Sequence, residues 1–320
     1  MKRFRTLLPF AAIAVLSLGV AACGSDDKDS STSSSSTSAN LNGTIAIDGS
    51  STVGPLSEAA AEQFQGDNSG VRVTVGTSGT GGGFEKFCAG ETDISDASRQ
   101  IEPDEVSACK KKGISYTEIQ IANDGIAVVA NPQNDWAKCL TTAQLKKIWD
   151  KGSKVNNWNQ VDSSFPDQKL SLSGPGTDSG TFDFFTKVIN GEEGQSRTDY
   201  SASENDNDIV QFVSGDKGAS GYFGLSYAEQ NPDKIKILEV DGGKGCVAPS
   251  KETVQDGSYT PLSRPLYIYV SNDAFKRPEV AAFVKAYVDN EQQIAEQALF
   301  VDLTDEQEKA AQDAVAKATS

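Results

Sequence analysis

Three segments of the chain repeat one pattern: an alternating apolar strand, a polar loop rich in Gly, Ser and Thr, and an amphipathic helix. In the first segment, Ile45 and Ile47 alternate with polar residues and predict a short strand. Residues 49–54 form the loop, and Pro55 suits the first turn of a helix because its φ is already helical. The helix presents an apolar stripe of Leu56, Ala60 and Phe64.

The second and third segments follow the same order. Alternating valines at 71–75 precede the loop at 76–83, and Leu170 and Leu172 precede the loop at 174–181. Each loop leads into a phenylalanine-rich helical stripe. We call residues 49–54, 76–83 and 174–181 the first, second and third loops.

Strands that alternate with helices predict an α/β fold, in which ligands bind at the carboxyl ends of the strands. Glycine there lets the backbone approach a ligand closely, and a helix N-terminus offers free N–H groups. Three such loops at one site would cage an anion. A single Gly/Ser/Thr turn before a helix is more often a cap. No lysine follows the glycines, which disfavours a nucleotide-hydrolysing P-loop.

Two apolar runs, at 121–130 and 266–270, indicate strands that cross between two lobes. We therefore expect residues 42–124 and 266–320 to form the first lobe and residues 125–265 the second. The two crossing strands would serve as a hinge, with the ligand cleft between the lobes.

The first 41 residues are typical of an export signal and a tether. Positive charges and an apolar stretch end in Val20-Ala-Ala-Cys23, which predicts a signal peptide at 1–22 and lipidation of Cys23. An ordinary signal peptide with a chance cysteine is the alternative. The Ser/Thr-rich segment at 23–41 would be a disordered tether. We expect a protein held on the extracytoplasmic face of the cell membrane by a lipid anchor only.

Composition narrows the chemistry. The formal net charge is -16, which disfavours nucleic acid as a partner. There is no histidine, which excludes Ser-His-Asp and Cys-His catalysis and His-ligated zinc. We expect no enzyme activity, no metal and no cofactor.

Cysteine usage also indicates an exported protein. Besides Cys23, the chain has Cys88, Cys109, Cys139 and Cys246, and none forms a CxxC pair. Four cysteines allow three connectivities. We favour Cys88–Cys109 and Cys139–Cys246, since each bridge then stays within one predicted lobe.

The loops resemble those of the phosphate-binding proteins of the phosphate-specific ABC importer (PstS type). The matching segments run in family order over residues 44 to 272. They are Asp48-Gly-Ser-Ser-Thr-Val-Gly-Pro55, Gly76-Thr-Ser-Gly-Thr-Gly-Gly-Gly83, Ser95-Asp-Ala-Ser-Arg99, Thr177-Asp-Ser-Gly-Thr181 and Gly218-Ala-Ser-Gly-Tyr-Phe-Gly224.

The resemblance implies a type II periplasmic-binding-protein fold that closes on inorganic phosphate and delivers it to a membrane permease of an ABC importer. We expect it to act as a monomer. The resemblance also implies the phosphate-binding residues. They are Ser51, Thr52, Val53, Ser78, Asp96, Arg99, Ser179, Gly180 and Thr181.

The resemblance gives two of these residues distinct roles, selectivity for Asp96 and charge pairing for Arg99. Asp96 matches the carboxylate that accepts a proton from the ligand, which phosphate can supply near neutral pH and sulfate cannot. Many family members have an arginine four positions before the serine of the third loop, where this chain has Pro175. Other members of this subgroup place an arginine after the aspartate, so the resemblance implies Arg99 as the charge partner, unless it is a surface arginine or pairs with Asp96.

Three other functions remain open. The same fold could bind sulfate or molybdate, although Asp96 argues against a fully ionised anion. A serine hydrolase built on Ser179 would need a lysine base, and the third loop has none. A phosphate sensor or adhesin would keep the binding fold without a transport role.

Overall fold

We describe a computed structural model of the chain over residues 41–177 and 179–320. The predicted signal peptide, the lipidation of Cys23 and the predicted tether as far as residue 40 lie outside these residues. The strands are β1 (Gly43–Gly49), β2 (Val71–Gly76), β3 (Ile94–Ala97), β4 (Tyr116–Ala130), β5 (Cys139–Thr141), β6 (Ser171–Gly174), β7 (Ser201–Ala202), β8 (Ala219–Gly224), β9 (Lys236–Ile237), β10 (Glu239–Asp241), β11 (Cys246–Val247) and β12 (Ser263–Ser271).

The helices alternate with these strands. They are α1 (Gly54–Asp67), α2 (Gly79–Ala89), α3 (Pro103–Lys112), α4 (Thr142–Trp149), α5 (Trp158–Val161), α6 (Gly180–Phe185), α7 (Asp206–Gly215), α8 (Leu225–Glu229), α9 (Lys251–Gln255), α10 (Pro278–Asp289), α11 (Glu291–Gln297) and α12 (Asp305–Ala318). A π-helical turn at Thr186–Asn190 continues α6, and a 3₁₀ turn occupies Ala274–Lys276. Among the described residues, no helix is long and apolar enough to cross a bilayer.

One mixed sheet organises the described chain. Its strand order is β2-β1-β3-β12-β4-β8-β6-β7, and β9 also pairs with β4. The neighbours β1, β2 and β3 are parallel, as are β6 and β8. The polar loops that follow β1, β2 and β6 therefore leave the sheet at carboxyl ends of parallel strands, where α/β folds bind ligands. The α/β class predicted from the sequence is confirmed.

Two strands run through the middle of the sheet. β4 pairs with β12 along its first part, to Gly125, and with β8 over residues 126–130. These two strands contain the apolar runs that the sequence indicated at 121–130 and 266–270. β4 and β12 are antiparallel, and their register places Asp124 opposite Arg264.

The hydrophobic interior has two large clusters, and each of them includes a different part of β4. One draws its buried residues from 45–122 and 266–315, around Leu56, Phe283 and Tyr287. The other draws them from 126–262, together with Val301, around Trp149 and Tyr222. Each cluster buries several aromatic side chains, each of which removes a large apolar area from water.

Both disulfides have the connectivity favoured from the sequence. Cys88–Cys109 joins α2 to α3, and Cys139–Cys246 joins β5 to β11. The first bridge lies in a third, small cluster of buried residues around Phe84, Phe87 and Tyr269, and the second joins two strands of a separate three-stranded sheet, β11-β10-β5. Neither spans the pair of middle strands.

Candidate functional site

A cavity of about 790 Å³ lies where the three loops meet. The first loop contributes Ser50, Ser51 and Thr52, the second contributes residues 78–82, and the third contributes Gly180. Arg99 and Arg264 line the same cavity. The residues that the sequence predicted for the site thus divide in two. Ser51, Thr52, Ser78, Arg99 and Gly180 line the cavity, whereas Val53, Asp96, Ser179 and Thr181 do not.

The first loop is folded by its own backbone. The Ser50 N–H donates to the Asp96 carbonyl at 2.9 Å, and the N–H groups of Val53 and Gly54 donate to the Ser50 carbonyl. Gly49 permits this because a β-carbon there would lie 2.1 Å from the Asp96 carbonyl oxygen. The N–H and hydroxyl of Ser51 make no hydrogen bond to another described residue. Ser51 is therefore the free donor of this loop.

The second loop places Ser78 against a carboxylate. Both the N–H and the hydroxyl of Ser78 donate to Asp48 Oδ1, at 3.0 and 2.5 Å, and Lys86 Nζ lies 2.5 Å from Asp48 Oδ2. Burial raises the pKa of Asp48, but the hydrogen bonds from Lys86 and Ser78 outweigh it and lower the pKa below its usual value. The hydroxyl proton of Ser78 is thus directed to Asp48. The first turn of α2, at Gly79–Gly82, still presents N–H groups that Ser78 does not cap.

The third loop touches the first. A β-carbon on Gly180 would lie 2.2 Å from Thr52 Oγ1, so only glycine allows this approach. The Ser179 hydroxyl accepts the Thr181 N–H at 3.2 Å and caps α6. Ser179 therefore has a capping role here, whereas Gly180 forms part of the cavity wall.

Asp96 lies behind the first loop and is fully buried. Its Oδ1 accepts a hydrogen bond from the Ser57 hydroxyl at 2.9 Å, and Ser57 in turn lies 3.3 Å from the Tyr287 hydroxyl. Its Oδ2 has no partner among the described residues. Burial raises the pKa of Asp96 to about 8, against the lowering effect of the Ser57 hydrogen bond, and the nearby Asp48 and Glu58 raise it further. Burial therefore disfavours the ionised form of this carboxyl group until a hydrogen-bond donor reaches Oδ2.

Arg99 is held by carboxylates on α3 and at its start. Its NH1 and NH2 donate to the two oxygens of Glu105, both at 2.8 Å, and its Nε lies 3.5 Å from Glu102. The hydrogen bond to Glu105 raises the pKa of Arg99, although burial opposes the change. Arg99 thus lines the cavity with its charge already paired, and it does not contact Asp96 through any hydrogen bond or ion pair in the described chain.

Sequence reasoning missed Arg264, which occupies the centre of the site. Its NH2 donates to Thr52 Oγ1 at 2.9 Å and to the Gly180 carbonyl at 3.3 Å. Its Nε pairs with Asp124 at 3.1 Å. The available signal was an isolated cation two residues before the apolar run at 266–270, which predicted a buried strand. A charge that enters such a strand needs a partner or a ligand.

Comparison with known proteins agrees with this geometry. The model of the PBP superfamily domain matches residues 34–291. Protein SphX of Synechococcus elongatus is 45% identical over 306 residues, which cover 95% of this chain and 86% of that protein. The phosphate-binding protein PstS of Staphylococcus epidermidis (strain ATCC 35984) is 40% identical over 289 residues, covering 89% and 85% of the two chains.

A solved structure is also similar. The crystal structure of a possible phosphate binding protein from Planctomyces limnophilus is 47% identical, with a TM-score of 0.84. The match covers 88% of this chain and all of that one, at 100%. On these matches, the chain belongs to the PBP superfamily and, within it, to the PstS-type phosphate-binding proteins.

Proposed function

We propose that this protein binds inorganic phosphate outside the cytoplasm and delivers it to the membrane permease of an ABC importer. The observation that carries the proposal is the cavity between the three loops. It combines the free donors of Ser51, the uncapped first turn of α2 and the glycine backbone at Gly180 with positive charge. Helix N-termini and backbone N–H groups of this kind bind oxyanions.

We propose that Asp96 makes the site selective for phosphate. Phosphate near neutral pH carries a proton and sulfate does not. The unpartnered Oδ2 of Asp96 needs a hydrogen-bonding partner, which a protonated anion can provide. An ionised Asp96 beside a fully ionised anion would bury two like charges, which is strongly unfavourable. Asp96 does not line the cavity here, so this role requires the first loop to move when the anion binds.

The phosphate-binding set predicted from the sequence keeps its place in the proposal. Ser51, Thr52, Arg99 and Gly180 would contact the anion from the cavity wall, and Ser78 would contact it once its hydroxyl turns away from Asp48. Val53, Ser179 and Thr181 would hold the first and third loops in shape. They do so through hydrogen bonds such as those of the Val53 and Thr181 N–H groups.

We also propose that the protein works as two lobes, residues 42–124 with 266–320 and residues 125–265. The separate hydrophobic clusters support this division, and the cavity lies where they meet. Closure on the anion would present one surface to the permease. Lipid anchoring through Cys23 and a monomeric state complete the proposal.

Titration calorimetry on the purified full chain tests the binding function. We expect tight phosphate binding that a large excess of sulfate does not displace. Preference for sulfate or molybdate would overturn the phosphate assignment in favour of another oxyanion. Hydrolysis of a chromogenic phosphate or acyl ester, lost on Ser179→Ala, would instead indicate a hydrolase.

The transport role needs its own test. Uptake of radiolabelled phosphate by cells that lack the gene should fall and recover when the gene is restored. Normal uptake, with an altered transcriptional response to phosphate, would instead favour a sensor.

A further inference from the structure

One cation in the cavity is positioned differently from the rest. Arg264 lies on β12, beside the point where the two middle strands cross between the hydrophobic clusters. Its side chain is 12% exposed, whereas that of Arg99 is 27% exposed. We propose that Arg264 is the principal cation for the bound anion and takes the part that Arg99 was expected to play. This inference rests on the proposed function.

The guanidinium groups of Arg99 and Arg264 differ in how many of their N–H donors are already used. Arg99 commits NH1 and NH2 to Glu105, and its Nε faces Glu102. Arg264 uses Nε for Asp124 and NH2 for Thr52 and Gly180. The NH1 group of Arg264 has no acceptor among the described residues. This group is not fully buried, and the Arg264 side chain lines the cavity. Arg264 therefore has donors left for an anion, and Arg99 has few.

The guanidinium of Arg264 is also fixed in orientation. Its carbon lies 3.9 Å from the centre of the Phe184 ring, which covers one face of the group. Asp124 holds its Nε end from the facing strand. A planar cation held on two sides presents its remaining N–H groups without further loss of side-chain entropy, and such groups suit oxyanions.

The position of Arg264 links anion binding to lobe closure. Thr52 lies in the first loop, whose neighbours pack in one hydrophobic cluster, and Gly180 begins α6, which packs in the other. Arg264 NH2 contacts both at once. The NH2 contacts to Thr52 and Gly180 form only when the first and third loops are close together. An anion bound to NH1 of the same guanidinium group would add a further contact in that state. Arg264 would thus favour the closed state as well as the bound one.

Two carboxyl groups and one further cation also surround Arg264 in the cavity. Asp183 and Glu193 line the same cavity, and Lys187 lies between them in sequence. The two acids make this wall unfavourable for an anion unless a cation offsets them. Lys187 is exposed, so water screens its charge more than that of Arg264.

Calorimetry on the full chain tests the assignment with phosphate as the probe. We expect Arg264→Ala to weaken phosphate binding by about 100-fold or more, since charge-assisted hydrogen bonds are lost. Arg264→Lys keeps the charge without the fork of donors and should recover part of the affinity. The matched control is Arg197→Ala. Arg197 is also buried and ion-paired, with Asp199, but does not line the cavity.

The outcomes separate the inference from the function it rests on. Wild-type affinity in Arg264→Ala, within about threefold, would overturn the role of Arg264 and leave phosphate binding intact. Absence of phosphate binding by the wild-type chain would overturn the function itself. Arg197→Ala should lower the free energy of unfolding but keep its affinity for phosphate. An equal loss in both variants would show general destabilisation and count against Arg264.

A labelling experiment avoids variants that fail to fold. An arginine-directed dicarbonyl reagent, followed by peptide mapping, reports the reactivity of each arginine in the wild-type chain. We expect saturating phosphate to protect Arg264 strongly and to leave Arg277, which lies outside the cavity, unchanged. Unaltered reactivity of Arg264 would overturn the proposal.

Discussion

Gly180 of the third loop packs directly against Thr52 of the first loop. A β-carbon on Gly180 would lie 2.2 Å from Thr52 Oγ1, 2.9 Å from its backbone nitrogen and 3.0 Å from its Cα. Two of these three atoms belong to the Thr52 backbone, so they could make room for a methyl group only if the first loop moved. The closeness of the two loops, on which the cavity depends, thus requires glycine at one position.

Gly180→Ala should weaken phosphate binding by about tenfold or more, because the added methyl group holds the first and third loops apart. Titration calorimetry measures this effect. Gly66→Ala is the matched control, since a β-carbon on Gly66 meets nothing within 4 Å. Alanine in that helix should stabilise the fold by about 0.5–1 kcal/mol and leave affinity unchanged. Undiminished affinity in Gly180→Ala would show that the two loops do not meet in the bound state.

Asp96→Asn should flatten the pH dependence of stability. The pKa of Asp96 is raised from 3.8 to about 8, so between these values the folded protein keeps a proton that the unfolded chain has released. The free energy of unfolding therefore falls as pH rises through this window, by about 1.4 kcal/mol per pH unit for one proton. Denaturant titrations at pH 5 to 8 should show that the free energy of unfolding falls less with rising pH in the variant than in the wild type. Glu291, whose pKa is also raised to about 8, is present in both and cancels. Parallel curves would contradict this.

Asp96→Asn should also reduce the preference for phosphate over sulfate. Above about pH 8, where Asp96 is ionised, the amide removes the like charge that penalises sulfate and can donate to an unprotonated oxyanion. In the wild type, sulfate affinity should decline further as pH rises through about 8, where Asp96 ionises. Competition calorimetry at several pH values measures both effects. An unchanged ratio of the two affinities would remove Asp96 from the selectivity of the site.

Arg99→Ala should weaken phosphate binding less than Arg264→Ala, by about tenfold. Part of that loss should come from the Glu105 carboxylate, which would be left unpaired beside the cavity. The double variant with Glu105→Gln should therefore recover some affinity. A double-mutant cycle by calorimetry measures the coupling. Full affinity in Arg99→Ala would show that Arg99 does not serve the anion.

Removing the Cys139–Cys246 bridge should cost more stability than removing Cys88–Cys109. The bridges join residues 107 and 21 positions apart, and a longer loop restricts the unfolded chain more. The chain-entropy model gives about 5 kcal/mol for the long loop and about 3 kcal/mol for the short one. Denaturant titration of the paired Cys→Ala variants measures both. The reverse order would show that native packing around the bridges outweighs chain entropy.

Much of the binding surface was predictable because it is local in sequence. Each loop carries its own signals: an alternating strand before it, glycines within it and a helix after it. Those signals predicted loops that meet at one site, because parallel strands bring their carboxyl ends to one edge of a sheet. Ser51, Thr52, Ser78 and Gly180, which the family resemblance implied, line one cavity there. The preferred disulfide pairing followed from keeping each bridge within one segment of the fold.

The charges of the site could be decided only by the tertiary structure. Ser78 is hydrogen-bonded to Asp48, 30 positions earlier, and Asp96 to Ser57, 39 positions earlier. Arg264 reaches Thr52 from 212 positions away. Which carboxylate pairs with which cation depends on these distant approaches and on burial, and no local pattern encodes them. The sequence by itself therefore predicted an anion site built from the neutral donors of three loops, and the fold decided that Arg264 keeps an N–H group without an acceptor while Arg99 is held by Glu105.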